Sequence, residues 1–225
     1  WEEKQRIELT RKKDHWTTKL TNPTIYDASY PDKIILKINT DDNSISLELK
    51  KQVIDASTWI STVKLIELQQ DAEFNKNFKS DFVENFDYQY IGMNMKPQSA
   101  NRAALFTDKK VRRAMALLTP VDDIIKTHLM GKAKRMVSYV SPIKAAYNKD
   151  LTPVPYNTEE AKKLLDEAGW KDTDGDNIRD KMIDGKKTPF EFELLIMSGN
   201  PIREKIAKDI TAAYYKAGIK ANYRS

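Results

Sequence analysis

The amino-acid sequence predicts a mixed fold of helices and strands, of the α/β or α+β class. Apolar residues recur every three or four positions in some segments and alternate with polar residues in others, which indicates both helices and half-buried strands. Near the carboxyl end, a predicted strand, helix and strand follow one another as a βαβ unit. With 225 residues, 40% of them hydrophobic and 32% charged, the chain is long enough to bury a substantial core.

Strands dominate the prediction for the part of the chain before Lys96. Short apolar runs bounded by polar residues indicate strands, and the run before Pro97 is rich in tyrosine and phenylalanine. One amphipathic helix is also expected, because Asp41 or Asp42 can serve as its N-cap and Ile45 recurs with later apolar residues on one face. The predicted strands cover residues 4–12, 32–39, 63–68 and 86–95, and the helix covers residues 44–56.

Helices dominate the prediction after Lys96. Thr107 or Asp108 can cap the first helix, and Asn157 begins a sequence similar to a capping box. Asn200 and Pro201 supply an N-cap and a first-turn proline for the last helix. The predicted helices end at residue 118, at Met130 before Gly131, at 168 before Gly169 and at 216 before Gly218. Residues 141–156 are predicted to form a loop, and residues 172–185 a turn-rich segment. The predicted strands of this part cover residues 190–196 and 219–223.

The charge of the chain is basic but evenly distributed. It has 38 basic and 33 acidic residues, a net charge of +5 and a pI near 9.1. The densest basic runs, residues 11–13 and 132–135, are too short for a stripe that follows a phosphate backbone. A basic nucleic-acid-binding module remains the alternative function, and its binding should vanish at moderate salt if only charge is involved.

Residues that commonly carry enzymatic chemistry are scarce. The absence of cysteine excludes disulfides, thiolate metal sites and a cysteine nucleophile. The two histidines, His15 and His128, lie in no HExxH pattern and near no nucleophile elbow, and no phosphate-binding glycine loop occurs. We therefore expect a protein that is not an enzyme and carries no cofactor; a hydrolase, as a third possibility, lacks a candidate triad.

The segment from Asp172 to Asp180 is similar to the start of an EF-hand calcium loop. Carboxylates occupy positions 1, 3, 5 and 9, where they would face one hard cation. Position 12, which should be a bidentate glutamate, is Ile183, and Asn177 replaces the usual glycine. We expect a hairpin turn that requires no metal, with calcium binding as the open alternative.

Tyrosines and methionines cluster near the predicted boundary between the two halves. Tyr88 and Tyr90 are followed by Met93, Asn94 and Met95. Rigid amphipathic tyrosines and adaptable methionines suit a groove that accepts varied apolar groups. A plain strand whose aromatic side chains face a core explains the same pattern.

Several segments, in their order along the chain, resemble one family. The family is the oligopeptide/dipeptide/nickel class of ABC-transporter solute-binding proteins, known as bacterial solute-binding protein family 5. The resemblance spans nearly the whole chain. It is carried by RIELTRKKDHW (residues 6–16), PDKI (31–34), Ile54-Asp55, YIGMN (90–94), FTD (106–108), VRRA (111–114) and NTEEAKKLLDEAGW (157–170).

This resemblance implies an α/β fragment of a two-lobed, venus-flytrap fold that encloses a ligand between its lobes. Residues 1–88 would belong to the first lobe and 89–225 to the second. The implied protein is a monomeric periplasmic or membrane-anchored extracytoplasmic receptor that delivers oligopeptides to an ABC-transporter permease. We expect an internal fragment that binds ligand weakly by itself. Gln52 or Val53 replaces a family glycine, and residues 119–122 depart from the family pattern, so nickel- or haem-specialised binding stays open.

Two segments are expected to face the ligand. In the resembled family both border the enclosed solute. The loop before the last helix also follows a strand, so the positive end of the helix dipole and free N–H groups favour an anionic or carbonyl-bearing group. Arg203 is unfavourably placed for that dipole and could serve a ligand carboxylate. The expected ligand-binding residues are Tyr88, Tyr90, Asn94, Ser198, Asn200 and Arg203.

Overall fold

The computed structural model describes residues 5–22, 24–27, 31–84, 86–97 and 103–225. They fall into two compact units, Trp1–Ser80 and Asp81–Ser225. Each unit has a hydrophobic cluster of its own. Helices and strands occur in both units, which confirms the predicted mixed class. The assignment of residues 1–88 and 89–225 to two lobes stays a prediction.

The first unit contains an antiparallel pair of strands. β1 (Arg6–Thr10) and β2 (Lys33–Lys37) lie inside the predicted strands, although residue 4 of the first prediction lies outside the described residues. The register sets Ile7 opposite Leu36 and continues in steps of one residue. Because side chains alternate across a strand, the apolar residues of the two strands gather mainly on one face.

Three helices follow in the first unit: α1 (Asp42–Lys50), α2 (Thr62–Gln69) and α3 (Ala72–Asn77). The predicted strand over 63–68 is wrong, because this segment is α2. Ser61 caps it by accepting from the N–H of Lys64. Apolar residues three positions apart then share a helix face, and Leu68 joins the small core. The sequence did not predict α3 or a short 3₁₀ helix over Trp16–Lys19.

Helix α1 ends six residues earlier than predicted. Asp41 caps its start, as expected, by accepting from the N–H of Ser44. At its end Gln52 adopts the left-handed conformation with φ of 54°, and the Val53 N–H bonds back to the Glu48 carbonyl at 2.8 Å. This closure usually requires glycine. Gln52 therefore stands at a position where a side chain is unfavourable.

The helices of the second unit begin where cap residues predicted. α4 (Lys109–Leu118) is capped by Asp108, and α6 (Thr158–Glu167) by Asn157. α5 (Val121–His128) starts after Pro120 and ends before the predicted Met130, because Met130 already has a φ of 50°. Residues 141–156 form no helix or strand, as expected.

The second unit also contains a hairpin that the sequence analysis missed. β3 (Asp180–Ile183) and β4 (Lys186–Pro189) pair antiparallel around Asp184 and Gly185. Both turn residues have positive φ, as a two-residue type I′ turn requires. The expected hairpin turn over Asp172–Asp180 is confirmed only in part, because the antiparallel pairing across it is a single bridge outside β3 and β4. That segment is a separate loop, closed by a bridge between Lys171 and Asp180.

The predicted βαβ unit is confirmed. β5 (Glu191–Leu195), α7 (Pro201–Tyr215) and β6 (Lys220–Arg224) follow in order, and the two strands pair in parallel. Gly218, between α7 and β6, has a φ of 80°, and an added Cβ there would lie 3.0 Å from the Arg179 side chain. Glycine is thus required for this return.

An aromatic core organises the second unit. Trp170 and Phe190 are buried with ring centroids 4.4 Å apart, and Phe192 lies 6.2 Å from the Tyr214 ring. Helices α4 and α6 cover this cluster together with α7. Among the described residues, no helix combines the length and apolar character that a membrane crossing needs.

The predicted strand over residues 86–95 is wrong. Its alternation is real, since Ile91 and Met93 pack against the core while Tyr90 and Asn94 are exposed. A strand also needs a ladder partner. The described residues 86–95 form no strand in any of the three observed ladders. The pattern therefore marks a segment with one apolar side rather than a strand.

A buried chain of hydroxyl groups ties α4 to α7. The Thr119 hydroxyl donates to the Met115 carbonyl at 2.8 Å, and its oxygen lies 3.0 Å from the Tyr214 hydroxyl. Since Thr119 has a single hydroxyl proton, Tyr214 is the donor to Thr119. Burial raises the pKa of Tyr214 to about 12, against a smaller lowering by the Thr119 hydrogen bond.

We expect Tyr214→Phe to lower the free energy of unfolding by about 1 kcal/mol, the net contribution of a typical hydrogen bond. The matched control is Tyr215→Phe, because Tyr215 is 58% exposed and should tolerate loss of its hydroxyl. Urea-induced unfolding measures both variants. Equal stability of the two variants would contradict the buried hydroxyl chain.

We expect Gln52→Gly to stabilise the first unit by about 0.5–1 kcal/mol, because glycine adopts a positive φ without strain. Lys51→Gly is the control, since the neighbouring Lys51 has a φ of −81°. Lys51→Gly should destabilise the first unit by a similar amount, because glycine increases the conformational freedom of the unfolded chain. Thermal unfolding of the two variants should shift in opposite directions, and a destabilising Gln52→Gly would refute the assignment.

Candidate functional site

The amino end of α7 lies after the carboxyl end of β5. Asn200 is its N-cap, with its side-chain oxygen 3.1 Å from the N–H of Arg203. Pro201 has no N–H, and Glu204 donates to the Asn200 carbonyl at 3.2 Å. The Ile202 N–H is thus the backbone donor of this turn without a partner among the described residues. The helix end offers fewer free N–H groups than the sequence analysis expected.

Arg203 is the unusual residue of this turn. Its Nε is buried and has no hydrogen-bond partner among the described residues. The Arg203 guanidinium also makes no ion pair with another described residue. The side chain as a whole is half-buried. A buried unsatisfied donor costs about 1–3 kcal/mol and requires an explanation. The Asn200 oxygen is used by the cap, which leaves its amide group for other contacts.

The second predicted segment presents two tyrosines. The rings of Tyr88 and Tyr90 lie 5.9 Å apart at 40°, and Tyr90 is 80% exposed. The Asn94 side-chain oxygen accepts from the N–H of Lys96 at 3.1 Å. These three residues are exposed, whereas Ile91 and Met93 of the same segment pack against the core.

The six predicted residues lie in two stretches of the chain. Tyr88, Tyr90 and Asn94 form one, and Ser198, Asn200 and Arg203 form the other. Both are attached to the same hydrophobic cluster, through Ile91 and Met93 in the first case and through Leu194 and Ile206 in the second. No hydrogen bond between described residues joins the two groups.

The two histidines have local structural contacts. His15 Nδ1 lies 2.8 Å from the Thr17 hydroxyl at the start of the 3₁₀ helix. His128 Nε2 lies 2.6 Å from the Asp209 carboxylate and links α5 to α7. Neither forms part of a group of catalytic side chains within the described residues.

Three carboxylates lie close together in the loop Asp172–Asp180, which we name the acidic loop. One oxygen each of Asp172, Asp174 and Asp176 lies within 4.8 Å of the others, a spacing that a cation could bridge. Backbone donors already use the Asp172 carboxylate, from Gly175 at 2.7 Å and from Asn177 at 3.0 Å. Exposed acidic groups of this kind are common without a metal.

Lys187, which the sequence analysis missed, supplies positive charge to this loop. Its Nζ lies 2.6 Å from Asp174 and 3.4 Å from Asp180. The hydrogen bond to Asp174 raises the pKa of Lys187, and the same contact lowers the pKa of Asp174. Burial opposes ionisation of Asp180, but hydrogen bonds from Thr173 and Lys187 outweigh it and lower the Asp180 pKa.

Comparison with known proteins identifies the family. The model of "Bacterial extracellular solute-binding proteins, family 5 Middle" matches residues 1–225. The chain belongs to this family.

A relative can be aligned with nearly the whole of this chain. The oligopeptide-binding protein AppA of Bacillus subtilis is 34% identical over 98% of this chain and 36% of its own length. The structure of AppA in complex with a nonapeptide is similar with a TM-score of 0.70, at 30% identity over 100% of this chain and 40% of that chain. This chain thus spans well under half of these relatives.

The same fold occurs in a more distant member of family 5. NikZ of Campylobacter jejuni, solved in complex with Ni(L-His), has a TM-score of 0.75 at 24% identity and covers 100% of this chain and 40% of that chain. At this identity the similarity concerns the fold. AppA is an oligopeptide-binding protein, and these comparisons give no support to the nucleic-acid alternative.

We expect Ca²⁺ at micromolar concentration to leave the thermal unfolding of the wild-type chain unchanged. Lys187 already neutralises part of the acidic loop, and position 12 carries Ile183 instead of glutamate. Lys187→Gln should raise the Ca²⁺ affinity at least about fivefold, because a nearby positive charge repels a divalent ion by about 1 kcal/mol or more.

Isothermal titration with CaCl₂ measures this effect, and Lys186→Gln, with the same loss of charge, is the control. A micromolar dissociation constant for the wild type would contradict the prediction.

Proposed function

We propose that this chain is part of an extracytoplasmic receptor that binds oligopeptides and delivers them to the membrane permease of an ABC transporter. Its relative AppA, which is 34% identical, is an oligopeptide-binding protein. The structural observation that supports a ligand site is the Nε of Arg203 at the amino end of α7, which is buried and has no hydrogen-bond partner in the described part of the chain. A ligand that supplies an acceptor there would satisfy this donor.

A peptide carboxylate is the acceptor that suits Arg203 best. Guanidinium groups bind carboxylates through paired, charge-assisted hydrogen bonds. The Ile202 N–H, which has no partner among the described residues, and the positive end of the α7 dipole add to the attraction. The carboxylate can be the chain terminus of the peptide or an acidic side chain.

The exposed tyrosines serve the remainder of the peptide. Tyr88 and Tyr90 are exposed and present both flat apolar ring faces and hydroxyl groups. Such a surface accepts side chains of different shape, as a receptor for varied peptides requires. Asn94 and Ser198 complete the proposed ligand face with polar groups.

The further elements of the proposal concern the whole protein. We propose a monomeric receptor in the periplasm or anchored to the outer face of the membrane, with no cofactor and no enzymatic activity. Residues 1–88 would contribute to its first lobe and residues 89–225 to its second. The membership of the chain in an extracellular family supports this location.

The direct test is mass spectrometry of the molecules released when the purified full-length protein is denatured. We expect peptides of several residues with mixed sequence. Recovery of a haem or a nickel complex instead would replace oligopeptides by another solute class. Recovery of nucleic acid that persists at moderate salt would overturn the receptor proposal.

We predict that Arg203→Ala and Tyr90→Ala, made in the full-length protein, each weaken peptide binding by about 1–3 kcal/mol where a buried contact is lost. Asn200→Ala should weaken it as well, but this change also removes the N-cap of α7 and lowers stability by about 1 kcal/mol. Titration calorimetry with the peptides identified by mass spectrometry measures the affinities.

Arg113→Ala and Tyr139→Phe are controls at exposed positions, and both should bind as the wild type does. Arg203→Lys should recover part of the affinity, since it keeps the charge without the paired donors. If the three single variants Arg203→Ala, Tyr90→Ala and Asn200→Ala all bind peptide with wild-type affinity, the proposed site is wrong even where the receptor function is right.

A further inference from the structure

A groove with a basic lining lies at the carboxyl ends of α6 and α7, and we name it the basic groove. It has a volume of about 570 Å³. Because α7 rises about 1.5 Å per residue, the basic groove lies about 20 Å along this helix from Arg203. It is therefore separate from the proposed peptide site. Its charged lining consists of Lys162, Lys171, Arg179, Lys216, Asp166 and Asp172.

The two carboxylates of the basic groove are already engaged. Asp166 Oδ1 lies 2.5 Å from Arg179 Nη1. The Asp172 carboxylate accepts from the N–H groups of Gly175 and Asn177, one at each oxygen. Four cations against two carboxylates leave the lining with a net charge of +2.

The lysines of the basic groove lack strong partners. Lys171 and Lys216 are exposed and form no ion pair with another described residue. Lys162 Nζ lies 3.3 Å from the carboxylate of Glu159, whose side chain is 85% exposed. An ion pair at such an exposed position is weak. Three ammonium groups therefore line one groove without a firmly held counter-ion.

The helix ends beside the basic groove do not account for these lysines. Cations stabilise the carboxyl end of a helix by interacting with its dipole and its last carbonyl groups. Other cations already do so here, because Arg179 Nε donates to the Ala217 carbonyl at 2.8 Å and Lys181 Nζ donates to the Ala168 carbonyl at 2.7 Å. The groove lysines are thus available to a ligand.

The donors of the basic groove suit a phosphate better than a carboxylate. Paired binding of a carboxylate requires two neighbouring nitrogens of one guanidinium. In Arg179, Nε bonds to the Ala217 carbonyl and Nη1 bonds to Asp166 and the Trp170 carbonyl, so every edge has an engaged nitrogen. Lysine ammonium groups are point charges with three donors each, and they commonly bind phosphate oxygens.

We propose that the basic groove binds a soluble polyvalent phosphate, such as a diphosphate or triphosphate. Its volume is larger than a single phosphate group needs, and its three lysines can meet more than one such group. The Arg179 side chain is only 13% exposed, so the lining is recessed and a flat lipid surface reaches it poorly. This site does not depend on the proposed peptide binding.

Isothermal titration of the full-length protein with sodium triphosphate tests the proposal. In about 0.1 M NaCl, charges further than about 10 Å from the ligand are largely screened. We expect the wild type to bind. Lys171→Gln combined with Lys216→Gln should weaken binding at least about tenfold, because two nearby positive charges are lost. Lys149→Gln combined with Lys208→Gln removes the same charge at exposed positions outside the groove and should leave the affinity nearly unchanged.

Two further variants separate a site from general attraction by a basic protein. Lys171→Arg combined with Lys216→Arg keeps both charges and should bind nearly as the wild type does. Arg203→Ala changes the other end of α7 and should leave triphosphate binding unaffected. Sedimentation with phosphatidylglycerol vesicles, compared with phosphatidylcholine vesicles, distinguishes a lipid headgroup from a soluble phosphate, and we expect no binding to either.

Three results would overturn the proposal: no triphosphate binding by the wild type, an equal loss of affinity in the two glutamine pairs, or a loss in Arg203→Ala as large as in the groove pair. Binding to phosphatidylglycerol vesicles without binding to triphosphate would overturn it as well. None of these outcomes bears on peptide binding, which the peptide titrations measure separately.

Discussion

The second unit depends on the burial of one side chain, that of Phe190. Its ring is fully buried, 4.4 Å from Trp170 at the end of α6 and 6.1 Å from Phe106 before α4. Its N–H donates to the Arg179 carbonyl at 2.7 Å, and its carbonyl accepts from Lys220 at 3.0 Å. Burial of such a ring contributes about 2–3 kcal/mol. The same residue thus connects two helices, the hairpin and the parallel pair, so that the arrangement of the unit follows from its position.

This constraint also determines where the candidate site lies. β5 begins directly after Phe190, and its carboxyl end delivers the chain to Asn200 and α7. Tyr214 anchors the far half of α7 in the core, while Arg203 at the near end keeps a buried donor that has no partner among the described residues. Natural sequences satisfy their buried polar groups almost everywhere, and exceptions concentrate at functional sites. The contrast between the two ends of α7 is therefore the main structural reason to place a ligand at its amino end.

Much of the fold was predictable where the determining interactions are local. The caps at Asp108, Asn157 and Asn200 were predicted because a side chain that bonds to the next turn is visible in the sequence. Alternation alone misled at 63–68 and 86–95, because strand formation depends on a partner elsewhere in the chain. For the site, the sequence indicated Arg203 as a charged residue in a helix start, but only the packing reveals that its Nε is buried. The contact between Lys132 and Phe82 joins residues 50 positions apart, and no local pattern indicates it.

The central claim of the proposed function is that the amino end of α7, together with Tyr88 and Tyr90, contributes to an oligopeptide site. A crystal structure of the full-length protein with a bound peptide tests it most directly. The account predicts a peptide carboxylate within hydrogen-bond distance of Arg203 and peptide side chains against Tyr88 and Tyr90. A peptide that contacts neither group, with the Arg203 Nε still unpaired beside it, would contradict the account.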